Sequence, residues 1–147
     1  MLAEKLKVLL ASSYSLSLKT QHFHWNVEGP DFPQYHEFFG KIYDDIADNA
    51  IDQTAEYIRI LGQYTPGSLT RLQELSIIED QLKIPRAQLM VAELHSDNAK
   101  LCELINECIT LAEKENKQAI MDYLAGRLDA HEKWVWQLKS TLKIDRA

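Results

Sequence analysis

An all-α domain of four long amphipathic helices, with a short extra helix in the long crossover between the second and third, is the fold this sequence predicts. Three observations lead there. Apolar residues recur at steps of three and four over nearly the whole chain, strong breaks fall at only a few places, and no alternating β-branched run occurs. The 147 residues suit a single domain, 1–147, of the size that buries about 70% of its unfolded surface.

The first helix carries Leu2, Leu6, Leu9, Ser13, Leu16, Thr20 and Phe23 on one stripe and runs to about Val27, where Glu28-Gly29-Pro30 stops it. A second helix starts after Asp31, a suitable N-cap, and continues for roughly thirty residues to Leu61-Gly62. "QYTPGS" then breaks the chain, and Ser68 caps a short helix in "SLTRLQELS" before a polar connection through Glu79 and Asp80. The third long helix opens at Pro85, aligns Met90, Leu94, Leu101, Ile105, Cys108 and Ala112, and closes at "EKENK". The last aligns Ile120, Leu124, Leu128, His131, Val135, Leu138 and Leu142. A long crossover between the second and third long helices suits a ferritin-like four-helix bundle better than a simple up-down-up-down one.

Composition narrows the partners. The formal net charge of -6 argues against a general polyanion-binding surface. Lys5, Lys7 and Lys19 near the start, and Lys143 and Arg146 near the end, are accompanied by acids and form no basic arm, so DNA binding is expected to be weak or absent. Cys102 and Cys108, six apart on a helix, point to different azimuths and have no metal-ligand spacing, which fits free thiols in a reducing cytoplasm. The N-terminal apolar run is too interrupted for a membrane span or a signal peptide.

Three of the five histidines fall between Lys19 and Tyr43. His24 on the last turn of the first helix and His36 just inside the second flank one turn, so both imidazoles can reach a common region. Asp44, Asp48, Asp52 and Glu56 recur at steps of four, which stacks four carboxylates on one helix face, where a bound cation would relieve their repulsion. Imidazole with carboxylate suits iron or zinc better than magnesium or calcium. The plainer readings are a solvated acidic face and capping or packed histidines. His22 reads as a surface residue or an outer neighbour of a site, His131 as a core histidine, and His95 has no partner pattern.

"HFHWNVEGPDFPQYHEFFGKIY" followed by "DQTAEYIRILG" resembles the signature of the Dps mini-ferritins, and the resemblance extends through "LTRLQELSIIED" to "AHEKWVWQLKS". It implies a cytoplasmic, hollow shell of twelve identical subunits that oxidises ferrous iron, preferentially with hydrogen peroxide and otherwise with O2. The shell stores the ferric product and so protects against oxidative damage. The ferroxidase site implied lies at a two-fold dimer interface and holds a di-iron or mononuclear centre. His24 and His36 come from one subunit and Asp52 and Glu56 from its partner, with Asp48 as an additional candidate ligand. Trp25 matches a tryptophan beside the metal, an electron source that limits radical escape. Asp122 matches an acidic position of the iron-entry pores, with Lys117 where some members have another acid; an acid in the first helical turn, favoured by the helix dipole, is the alternative reading of Asp122.

The chain departs from that pattern twice. Gly40 stands four residues after His36, where the family often has an acid. His36 is sixteen residues from Asp52 and twenty from Glu56, each one more than usual. One extra residue in an unbroken helix rotates every later side chain by about 100°, so a π-bulge between Tyr43 and Ile51 is expected, with the apolar stripe resuming at Ile51, Ala55 and Ile58. These departures also open a second functional reading: an assembled shell with weak or lost oxidation, acting as an iron or peroxide buffer or as a structural particle.

Overall fold

The computed structural model describes residues 1–143; residues 144–147, Arg146 among them, lie outside the described residues. Six helices run in order: α1 (Leu2–Asn26), α2 (Phe32–Asn49), α3 (Asp52–Ile60), α4 (Leu69–Leu75), α5 (Ala87–Lys114) and α6 (Gln118–Leu142). α1 pairs with α2 and α5 with α6 as two antiparallel hairpins, and α1 packs on α5 to close the bundle. α3 and α4 both lie against α1.

The stripe expected on α1 is buried along its length, from Leu2 to Phe23. It meets Phe39, Ile42 and Ile46 of α2, and Met90, Leu94, Leu101, Ile105 and Cys108 of α5 in one core. The turn between α1 and α2 depends on Gly29, whose φ of 120° is closed to most side chains. Pro33 then stands in the first turn of α2, where no amide bond is lost. Asp31 occupies the N-cap position of α2, but its side chain makes no capping bond. Ser68 does cap α4, accepting from the Arg71 amide at 3.2 Å. α5 begins two residues beyond Pro85, at Ala87.

α3 and α5 end alike. Gly62 (φ 85°) and Asn116 (φ 56°) take the left-handed conformation, and the next amides reach back to Ile58 O (3.3 Å) and Ala112 O (2.9 Å). Both are Schellman ends that satisfy otherwise orphaned carbonyls. The crossover is pinned to α1 by side chains: Lys19 Nζ donates to Glu79 O at 3.0 Å, and Ser12 Oγ accepts from the Ile77 amide at 3.1 Å.

The second long helix is not continuous. Its ladder stops at Asn49 and restarts at Asp52, with Ala50 at φ -121° and ψ -16° between them. The irregularity sits at the edge of the expected span, but it is a break between two helices and not a single wide π turn. The buried positions show why. Ile46, Ala50, Thr54 and Ile58 are buried at three successive steps of four, whereas three ideal turns advance only about 10.8 residues. About one residue is therefore absorbed between Ile46 and Ile58. Ile51 and Ala55, expected on the stripe, are only half-buried. No helix among the described residues is long and apolar enough to cross a membrane.

Candidate metal centre

The α1–α2 turn folds His24 onto His36. Their rings stack with centroids 3.9 Å apart and planes 13° from parallel. His24 Nδ1 donates to the backbone carbonyl of His36, and His36 Nδ1 donates to the carbonyl of His24 at 2.7 Å. A carbonyl can only accept, so each Nδ1 carries a proton and Nε2 is the nitrogen left to present a lone pair. That is the bracing metal-binding imidazoles characteristically use. Because the planes are nearly parallel, one ion cannot lie in both; each ring offers a position of its own.

The stack is closed on both sides. Phe32 lies against His36, centroids 5.1 Å apart, and the Tyr43 ring meets His24 edge-on at 5.3 Å. Sequence reasoning missed these two aromatics. Their signal was the spacing of Phe32, His36, Gly40 and Tyr43 at steps of four, four and three, one face of α2.

The other described histidines differ. His22 Nε2 donates to Lys83 O at 3.3 Å, and its Nδ1 accepts from Asn26 Nδ2 at 3.3 Å. Both nitrogens are engaged, so His22 ties the crossover to α1. His131 is a core residue, as expected. Its Nδ1 donates to Asn98 Oδ1 at 2.9 Å and its Nε2 accepts from Arg127 Nη2 at 3.0 Å. Burial first, and the Arg127 charge next, hold it down to about 3. His95 is half-buried on α5.

Arg127 also grips Asp45 with two bonds, at 3.0 and 3.1 Å, and Trp134 Nε1 donates to the same carboxylate at 2.8 Å. Burial alone would raise the Asp45 carboxyl, but the bonds from Arg127 and Trp134 outweigh it and hold it below its ordinary value. Bundle-core di-iron sites use Glu-x-x-His pairs, and this sequence contains no Glu-x-x-His. The bundle interior instead holds the Arg127 guanidinium, bonded to Asp45 and His131, with its Nε buried and unpartnered among the described residues.

Asp52 and Glu56 are one turn apart on α3, both exposed, and Asp44 and Asp48 are exposed on α2. Asp52 lines a surface groove of about 310 Å³ with Tyr14, Ser17, Leu18, Gln21, Tyr43, Ala47 and Ile51. Tyr43 thus borders both the histidine stack and the Asp52 groove. Yet no group of three or more His, Cys, Asp or Glu side chains is close enough to hold a metal ion among the described residues. The chain brings its two histidines together and leaves its carboxylates on a separate, open face. Trp25, penultimate in α1, is 59% exposed beside that corner. Asp122 is exposed on α6 but beyond its first turn, which contains no acid, so the helix-dipole explanation for it fails.

A bundle of two helical hairpins linked by a long crossover, with a short helix in that crossover, defines a ferritin-like protein. Residues 3–147 match the family model described as the ferritin-like domain. The chain is 31% identical over 140 residues to the DNA protection during starvation protein of Helicobacter pylori, covering 95% of this chain and 96% of that one. Dps from Staphylococcus aureus superposes with a TM-score of 0.93 at 28% identity, over 98% of this chain and 96% of that one. The Dps protein from Vibrio cholerae O1, described as a member of a broad superfamily of ferritin-like diiron-carboxylate proteins, superposes with a TM-score of 0.92 at 25% identity over 97% and 92%. The chain belongs to the ferritin-like domain family, on its Dps branch.

Proposed function

We propose that the chain is a subunit of a hollow homo-oligomer, a dodecamer, that oxidises ferrous iron at sites shared between two copies and stores the ferric product. The observation that carries this reading is the division of ligands: two braced imidazoles with open Nε2 atoms at one corner, and the Asp52 and Glu56 carboxylates apart from them on α3. In an isologous pair, whatever residue i meets on the partner, the partner's copy of i meets in return. One two-fold contact therefore completes two equivalent sites, each with His24 and His36 from one copy and Asp52 and Glu56 from the other. The groove beside Asp52, with Tyr14 and Leu18 exposed on its wall, is the surface such a contact would cover.

Iron is substrate and cargo. The neutral imidazoles hold Fe(II), while the two carboxylates favour the higher charge of Fe(III) and so pull the oxidation forward. Hydrogen peroxide takes one electron from each of two ferrous ions and, with two protons, leaves as two waters; O2 is the alternative oxidant. Removing iron and peroxide together withholds the reagents of oxidative damage. Trp25, exposed beside the site, supplies an electron when the oxidant draws one too many, Asp48 is an additional candidate ligand, and Asp122 steers cations through the shell. DNA is not a strong partner, and the cytoplasm is the compartment proposed.

Gly40 gives specific support to a second reading, a shell with slow oxidation that buffers iron, because this chain supplies no carboxylate on the turn after His36. Stopped-flow oxidation of Fe(II) by peroxide, wild type against Glu56→Ala, separates the two. A fall of about a hundredfold supports the ferroxidase, and equal rates would remove it in favour of the buffer.

A further inference from the structure

Gly40 is buried in the middle of α2, and its backbone is helical. Nothing in the local conformation needs glycine, which a helix tolerates less well than alanine. What glycine supplies is space. A Cβ built there would sit 3.0 Å from His24 Cε1 and 3.1 Å from His24 Nδ1. Van der Waals contact is wider by a few tenths of an ångström, so the ring would have to give. It cannot move toward His36, already stacked at 3.9 Å, and Tyr43 meets its other side. Any other shift pulls Nδ1 from the His36 carbonyl that fixes its tautomer.

We propose that Gly40 is a positioning residue: its missing side chain is the slot that holds His24 against His36, with both Nε2 lone pairs presented for metal. This rests on the metal-site reading above. On this account the glycine is more than a lost ligand. It exchanges a carboxylate for a closed imidazole pair, so the copy that brings His24 and His36 to a site brings only nitrogen donors there, and that site's carboxylates come from the partner copy. Gly126 is the internal contrast. It also lies within a long helix, on α6, but a Cβ there meets nothing within 4 Å.

The test uses the assembled full-length protein and Co(II) alone, monitored by its visible absorption. Gly40→Ala is expected to weaken Co(II) binding at least tenfold and to change the band shape, while Gly126→Ala leaves both unaltered. Wild-type affinity and spectrum in folded, assembled Gly40→Ala would overturn the proposal. A metal-free arm measures thermal midpoints of Gly40→Ala, His24→Ala and the double variant. If the clash is with the ring, the loss caused by Gly40→Ala disappears when His24 is already alanine; additive losses overturn the slot. Should Gly40→Ala fail to assemble, assembly of the double variant supports the proposal, and its failure too counts against it. Wild type that binds no Co(II) in a His24-dependent way would overturn the metal reading and, with it, the metal role of the slot, which the metal-free arm tells apart from failure of the slot itself.

Discussion

Two polar clusters in this protein use imidazole in opposite ways. In the bundle interior, His131 spends both ring nitrogens on Asn98 and Arg127, and Arg127 in turn grips Asp45. At the α1–α2 corner, His24 and His36 each spend only Nδ1, on the other's backbone, and keep Nε2 open. The interior set is closed within one chain, with only the buried Arg127 Nε left without a partner among its named groups, and half of the corner set's ring nitrogens are unspent. A network whose members bond one another fixes a fold; an open valence on a braced ring is where chemistry can enter.

The largest expected effect breaks the interior side. Arg127→Ala leaves the Asp45 carboxylate without its cation and His131 without its donor, a loss of about 3 to 5 kcal/mol, read as a fall in the urea midpoint. His24→Ala should barely move that midpoint yet slow Fe(II) oxidation by about a hundredfold, roughly 3 kcal/mol of barrier. If both substitutions were equally destabilising, the contrast between the two regions would collapse.

Acid probes the interior more gently. An unfolded histidine titrates near 6.5, whereas His131 is held to about 3. Between those values the unfolded chain binds a proton that the folded chain refuses, so stability falls by roughly 1.4 kcal/mol per unit as pH drops through that window. Asp45 adds in the same direction at lower pH, since its depressed carboxyl stabilises the fold above its unfolded value and that contribution is lost as pH falls through the folded one. His131→Gln should flatten the slope of urea midpoint against pH between 6.5 and 4; an unchanged slope would assign the acid sensitivity elsewhere. The smallest effect concerns the open glycine: Gly126→Ala should raise stability by up to about 1 kcal/mol, since the added methyl meets nothing.

Much of this was legible in the sequence because burial is written as period. The α1 stripe is buried from Leu2 to Phe23, and Glu28-Gly29-Pro30 announced the turn that brings His24 to His36. The break at Ala50–Ile51 was legible only as a count, one residue too many before Asp52. Its form was not, because a stripe through Ile51 and Ala55 and one through Ala50 and Thr54 are equally good patterns until packing chooses. The role of Gly40 was hidden for a different reason. A missing acid is visible in a motif, but the ring that takes its space comes from another helix. Asp45 and Arg127 were passed over because charge on an apolar stripe reveals its partner only in three dimensions.

The central claim is that each site draws on two copies, and subunit mixing tests it most directly. His24→Ala/His36→Ala chains and Asp52→Ala/Glu56→Ala chains, each inactive alone, are dissociated, mixed in equal amounts and reassembled, and Fe(II) oxidation by peroxide is measured. Half the pairs that form are mixed, and each mixed pair joins intact histidines to intact carboxylates once, so about a quarter of wild-type activity should return. Activity no higher than that of the two parents would contradict a shared site.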